Sequence, residues 1–351
     1  MMELKPHTTI FNLQAIRGLG ALIIFLHHCG IDHYAFVSFG DFGVSLFFII
    51  SGFVMTMSGH SRPLTSFGGS IRFILHRLIR IYPVYLACLA LQMILFGDKI
   101  DIKVAIIDLL MLQSWIPNPD IYFSGNSVSW FVSSLMFCYV MFLPMHYLMR
   151  RNIRCFHAVS FIILASYLTA VVISPENKLQ AIIYIFPPMQ FTAFLAGMYA
   201  FILYTKFRSL QIRHAGLLQS VVILMTIATV YFYDSIPLRC GLALYWWPLD
   251  ILIILTFSLT DKSATPLNAL FHSRTMQTAG TLSYSFYMIH IIAIQSVNAL
   301  ILKHNSDISA TAVIIIYFIV ASVAAYIMYR AVEKPSSAKL SKLLKHLPYG
   351  A

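Results

Sequence analysis

Between Gly18 and Leu26 the chain carries no polar side chain, inside a longer apolar stretch, Phe11 to Gly30, that also holds Arg17, His27 and His28. A stretch of this length predicts a membrane-spanning helix. Charged side chains inside a bilayer are costly, so by default they face other protein and mark a function. Eleven positions separate Arg17 from His28. At about 3.6 residues per turn that is almost three turns, with roughly 20° of offset and roughly 16 Å of rise. Guanidinium and imidazole are therefore expected on one helix face, separated by about half the hydrocarbon thickness, as two stations along one path.

The remaining chain agrees. Hydrophobic residues make up 59% and charged residues 11%, where a soluble domain carries about 25% charged residues. Apolar runs of membrane length fall near 10–30, 42–58, 81–97, 127–148, 156–174, 181–204, 215–232, 242–260, 279–302 and 310–330. The expected fold is an all-α integral membrane protein: a single bundle of about ten transmembrane helices, residues 1–351 forming one domain with a basic tail over 335–351. The net charge of +11 is topological and does not point to nucleic acid. With the N-terminus in the cytoplasm, the outer segments keep only Lys99, Lys103, Lys178, Arg239 and Lys303 of the Lys and Arg. That asymmetry places both termini on the cytoplasmic side. The first apolar segment has no small-residue cleavage site and is expected to stay as a signal anchor. Cys29, Cys88, Cys138, Cys155 and Cys240 form no C-x-x-C pair, so they are expected to pack as small hydrophobes, with no metal site.

Along the chain, the second span carries small residues at Gly43, Ser45, Ser51 and Gly52, which suit close helix packing at least as well as catalysis. Arg72 to Arg80 has amphipathic helical periodicity, with Arg77 and Arg80 on one face. It reads either as a helix lying on anionic headgroups or as a clamp for a phosphorylated cytoplasmic ligand. Pro83 is expected near the start of the third span. Val104 to Leu112, within the long outer stretch from Gly97 to Ser129, is too short to span. Trp115, Tyr122 and Trp130 suit an aromatic belt, and part of an acceptor site is expected in this stretch. Pro187-Pro188 should bend or break the sixth span. Asp250 lies within the eighth, as a partner for a cation (Arg17 being one choice) or as part of a polar cavity. Ser283, Tyr287 and His290 share one face of the ninth, where His290 serves either as an interhelical contact or in catalysis.

Taken together, these pieces resemble acyltransferase family 3, bacterial multi-span membrane enzymes that O-acylate surface polysaccharides, lipopolysaccharide, peptidoglycan and related oligosaccharides. The resemblance rests on ordered blocks through nearly the whole chain: Arg17-x10-His28, Gly43-Val44-Ser45-Leu46-Phe47-Phe48 to Ser51-Gly52-Phe53, and Arg77-x2-Arg80-Ile81-x-Pro83-x-Tyr85. Later come Trp130 with Tyr139, Phe194-x2-Gly197, Gly280-x2-Ser283-Tyr284-x2-Tyr287-x2-His290 and Glu333-Lys334-Pro335. It implies an acyl-CoA donor, usually acetyl-CoA, bound from the cytoplasm, a glycan or lipid-linked saccharide acceptor outside, and essential roles for Arg17 and His28. Two positions depart from many members: Ser45 and Leu135 stand where those carry aspartate and glutamate, so no mechanism can depend on either carboxylate.

The expected catalytic set is His28 as general base or acyl carrier, Asp41 orienting its imidazole, Arg17, and His290 with Tyr287. Arg17, Arg77, Arg80 and Ser51 are the candidates on the donor side. Histidine suits the base role because its ordinary pKa, about 6.5, lies near working pH. The expected location is the bacterial inner membrane, among lipids. Two rivals stay open: a transporter or flippase for a glycan or small anion, and a non-catalytic sensor on the same fold.

Overall fold

The structure is a computed structural model that describes residues 9–30, 39–61, 64, 67–97, 101–242, 244–302 and 308–345. Asp32 and His33 of the first outer loop, and Lys5, Arg62, Asp98, Lys99 and Lys303 of the charge assignment, lie outside the described residues. So does the end of the basic tail, 346–351. Among the described residues every regular element is helical.

The helices are α1 (Phe11–His28), α2 (Gly40–His60), α3 (Phe67–Phe96), α4 (Ile102–Leu109) and α5 (Pro119–Tyr122), followed by α6 (Trp130–Arg151), α7 (Ile153–Ile173), α8 (Pro187–Phe207), α9 (Ala215–Tyr231) and α10 (Leu238–Gly241). Then come α11 (Trp247–Leu259), α12 (Pro266–Phe271), α13 (Arg274–Val297), α14 (Ala310–Met328) and α15 (Lys334–Lys345). Each of the ten expected runs overlaps a helix, but Phe11–His28, Ala215–Tyr231, Trp247–Leu259 and Arg274–Val297 are not long and apolar enough to count as spans on their own. Among the described residues, five helical segments are long and apolar enough on their own to cross a membrane: Gly40–His60, Gly68–Phe96, Ser127–Arg151, Ile153–Ile173 and Ala310–Leu344. A sixth is a bent pair.

Local sequence explains the breaks. Phe186 is extended (φ −63°, ψ 125°), Pro187 opens α8, and the pair Glu176–Ile185 and Pro187–Phe207 bends by 53°. The expected break at Pro187-Pro188 is thus present: proline is tolerated in a first turn, where its missing N–H had no partner anyway. Asn152 caps α7 by accepting from the Cys155 N–H at 3.1 Å, and Thr265 caps α12 through the Asn268 N–H at 3.1 Å; such caps satisfy backbone donors that the helix leaves unpaired.

Two expectations need correcting. Pro83 does not open a span. It lies inside α3, a continuous helix of 30 residues that joins the basic amphipathic segment to the third span. Dense apolar and tyrosine contacts on both sides of Pro83, with Ile81 and Val84 buried, offset the backbone bond that proline removes. The aromatic belt is also narrower than expected, because Tyr122 and Trp130 are 2% and 5% exposed. They serve as core for the stretch 101–129, and only Trp115 is exposed.

By packing, the chain divides into two compact units. The first comprises the described residues of Met1–Gly20, Asp41–Pro63 and Phe137–Thr281; the second comprises those of Ala21–Gly40, Leu64–Met136 and Leu282–Ala351. In the first unit, α2 crosses α8 where Gly52 meets the Phe194 carbonyl and Gly197 meets the Ile49 carbonyl, so that a Cβ on either glycine would collide with backbone. Small residues at such a crossing allow close approach. Two blocks that carry the family resemblance, Ser51-Gly52-Phe53 and Phe194-x2-Gly197, are thus halves of one packing contact. In the second unit, the stretch 101–129 folds onto α3: the Tyr82 hydroxyl donates to the Leu109 carbonyl (2.9 Å) and the Tyr85 hydroxyl to the Asp108 carbonyl (2.6 Å).

Candidate active site

In the second unit, the last turn of α1 and the middle of α13 bring two histidines together. Nδ1 of His28 lies 2.8 Å from the Ile24 carbonyl and 3.3 Å from Nε2 of His290. Nδ1 of His290 lies 2.6 Å from the Tyr287 carbonyl. Carbonyls only accept, so both Nδ1 atoms carry the hydrogen. With one proton on each ring the pattern closes: His28 donates from Nδ1, His290 accepts at Nε2, and His28 keeps its lone pair at Nε2. His290 is fully buried, stacked on Phe286 and edge-on to Phe25, while His28 is half-buried. The neighbouring His27 occupies space left by Gly40, where a Cβ would strike its ring.

The wall around this pair is tied together by backbone carbonyls. The Tyr287 hydroxyl donates to the Val128 carbonyl (2.7 Å) and the Asn126 amide to the Met288 carbonyl (2.7 Å), fixing α13 to the start of α6. Tyr287 thus acts through its hydroxyl as a brace. Its expected face-sharing with Ser283 and His290 follows from the spacing of the three on the one helix α13. At the His28 Nδ1 the neighbours are the Ile24 carbonyl and His290.

A second polar centre in this unit joins three of the resemblance blocks. Glu333, buried at 3% exposure, accepts from the Ser285 hydroxyl at 2.5 Å and stands 3.8 Å from the Arg80 guanidinium. The Tyr284 hydroxyl donates to the Ile81 carbonyl at 2.7 Å. Arg80 is part of an ion pair as well as a candidate phosphate ligand, with its side chain 45% exposed. Arg77 lies over the Phe73 ring at 5.4 Å. Sequence reasoning quoted Glu333 only as part of a motif. Its burial beside arginine was not readable from spacing.

Asp108, in α4, was missed as well. It is fully buried and accepts from the Ser124 hydroxyl at 3.0 Å on both oxygens. Burial raises its pKa to about 6, the Ser124 bond pulling the other way. A lone acid in the apolar run Val104–Leu112 was the available signal.

In the first unit, Arg17 is half-buried and donates to the Gln14 side chain at 3.4 Å, which in turn donates to the Thr281 hydroxyl at 3.2 Å. This part of α1 lies close against α13, since a Cβ on Gly280 would strike the Gln14 carbonyl. Arg17 and His28 lie on the one helix α1, as expected. The alternative partner for Arg17 is removed: Asp250 accepts from the Ser45 hydroxyl at 2.5 Å, and its other oxygen has no hydrogen-bond partner among the described residues. Asp41 accepts from the Tyr233 hydroxyl at 2.8 Å. Ser51 is half-buried in α2 beside Gly52. Among the described residues, no three His, Cys, Asp or Glu side chains gather as a metal site.

Apolar membrane-length helices with a buried histidine pair define a class of multi-span membrane protein with polar chemistry inside. The chain matches the family profile described as acyltransferase domain, Acyl_transf_3, over residues 10–330, and it belongs to that family, acyltransferase family 3. It is also 23% identical to the protein "Acyltransferase MdmB" of Streptomyces mycarofaciens, over 94% of this chain and 92% of that one. No solved structure matches it significantly. The chain is therefore a membrane acyltransferase.

Proposed function

We propose that the protein moves an acyl group, most simply acetyl, from cytoplasmic acyl-CoA to a hydroxyl of an exported or surface glycan or glycolipid, from ten spans in a bacterial inner membrane with both termini inside. The observation that carries this reading is the proton arrangement at His28. A ring that donates from Nδ1 to the Ile24 carbonyl and to His290 presents its Nε2 lone pair as a base.

In this mechanism His28 Nε2 takes the proton of the acceptor hydroxyl as oxygen attacks the thioester carbonyl. The new ester forms, the carbon–sulfur bond breaks, and the proton passes from His28 to the departing CoA sulfur. While His28 is doubly protonated, the His290 lone pair and the Ile24 carbonyl stabilise its Nδ1–H. This is the orienting and charge-balancing job that a third group performs in nucleophile–base systems. Arg17 and the Arg77–Arg80 face supply guanidinium contacts for the donor's phosphates, with Ser51 a further donor-side candidate. Among the described residues, no repeat of the α8 break occurs in the first five expected spans, whereas transporters often pair broken helices, and this favours the enzyme over a flippase.

The test replaces His28 with alanine, checks membrane insertion, and measures acyl transfer from radiolabelled acetyl-CoA to surface glycan alongside thioester hydrolysis by purified protein. Loss of both supports the reading, and retained transfer removes His28 from the chemistry.

A further inference from the structure

The first unit gathers basic side chains where α2, α6 and α8 end, and neither the family match nor the second unit's histidine pair accounts for them. His60 is the last residue of α2. Arg150 lies in the last turn of α6, and Arg208 follows the last residue of α8. Both arginines are within electrostatic reach of His60. His146, one turn before Arg150 in α6, is within reach of Arg150 and His60. Three helices separated in sequence thus converge their positive and basic groups on one place.

Packing holds the cluster in shape. The His146 ring lies against Phe142 (5.0 Å between centroids, 33°), and the His60 ring lies against Phe201 of α8 (5.7 Å, 56°). Nε2 of His146 points at the last turn of α2, where a Cβ on Gly59 would stand 3.0 Å from it. His146 is 2% exposed, and this nitrogen has no hydrogen-bond partner among the described residues. A buried polar atom left unpaired calls for an explanation.

Like charges held together repel, and the chain does little to offset this. Among the described residues no carboxylate acts on either histidine. One acid lies in the neighbourhood: Asp261, which acts together with Arg208 on Tyr204. It is engaged by the Asn12 N–H at 2.8 Å and stands 3.3 Å from His272. That leaves the counter-charge to a bound anion. Guanidinium and imidazole donors arriving from separate helices suit the several oxygens of a phosphate, whereas a carboxylate is saturated by a single guanidinium fork. On the proposed topology these helix ends lie on the cytoplasmic side, where basic pockets between membrane helices take up lipid headgroups. Arg150 is exposed, as are Tyr147 one turn earlier and Ile153 at the start of α7, which offer apolar surface beside a headgroup.

We infer that the ends of α2, α6 and α8 form a binding site for a phosphate group, carried by an anionic phospholipid or free in water. Arg150 and His60 hold the phosphate oxygens, Arg208 adds charge, and His146 is reached through one bridging water. The site does not depend on the acyl-transfer reading.

The experiment uses purified full-length protein in detergent. One arm measures retention of phosphatidylglycerol by native mass spectrometry, against phosphatidylcholine with the same chains. The other follows thermal unfolding in inorganic phosphate, against chloride at equal ionic strength. At least one anion is expected to exceed its control: phosphatidylglycerol marks a lipid site, and inorganic phosphate alone marks a site for a water-borne group. Arg150→Gln, at an exposed position that spares the fold, should weaken the response about tenfold. His60→Gln should act in the same direction. Arg151→Gln, at the exposed neighbouring position, should leave the response unchanged. The inference is overturned if neither anion exceeds its control or if Arg150→Gln and His60→Gln both respond like the parent. It is equally overturned if Arg151→Gln weakens the response as much as Arg150→Gln, because the attraction would then be to positive charge in general.

Discussion

The two units differ in the chemistry they bury. The second holds nitrogen bases and an ion pair: the His28–His290 pair and Arg80 beside Glu333. The first sets carboxylates against hydroxyls: the buried Asp250 with Ser45, and the half-buried Asp41 with Tyr233. Base and charge serve proton transfer and anion binding. Substitutions at the second unit's histidines should therefore act on the proposed chemical step, and substitutions at the first unit's packing glycines on stability.

The largest effect expected on that contrast is from His28→Ala, which should lower acyl transfer about a hundredfold or more without changing protein level in the membrane. An equal loss from His27→Ala, whose ring points elsewhere on α1, would break the assignment of the base. Next is His290→Ala. It leaves the lone pair of His28 in place but removes the acceptor opposite Nδ1, and is expected to cost about tenfold to a hundredfold. The fall should be in kcat rather than KM, with a displaced pH profile. A purely structural role would lower the yield of folded protein and leave the profile alone.

A third comparison is between packing glycines and polar sites. Gly197→Ala would press a methyl group onto the Ile49 carbonyl and should cost about 1–3 kcal/mol by overpacking, read as a lowered unfolding temperature in detergent. The smallest effect concerns Asp108. Its folded pKa, about 6, lies above the ordinary carboxylate value of about 3.9, so the folded state binds the proton more tightly. The resulting stabilisation is complete below about pH 3.9 and is lost as pH rises through about 6. Hydrogen exchange in the stretch 101–129 should accelerate over that window, and Asp108→Asn should remove the dependence.

Periodicity and composition made the helices readable, and with them the placing of Arg17 with His28 on one helix and of Ser283, Tyr287 and His290 on one face. These are local facts, set by 3.6 residues per turn. The break at Pro187 was equally local. What escaped were contacts between distant parts of the chain. His290 against His28 spans 262 positions, and Ser45 against Asp250 spans 205. No spacing rule reaches that far. Pro83 was misplaced because proline's preference for a helix start is a tendency that packing overrides. Asp250 was noticed for its cost in an apolar run, yet its partner came from the very position, Ser45, that seemed to have lost a carboxylate.

The length of α3 has a consequence for the proposed water-borne donor. Thirty residues extend about 45 Å at 1.5 Å each, roughly 15 Å beyond the hydrocarbon layer. A rod that overshoots the oil by so much keeps Arg72, Arg77 and Arg80 at the aqueous boundary whatever the lipid's acyl-chain length. Capture of a water-borne donor should then be indifferent to bilayer thickness, and reconstitution in short- and long-chain lipids should leave donor affinity unchanged.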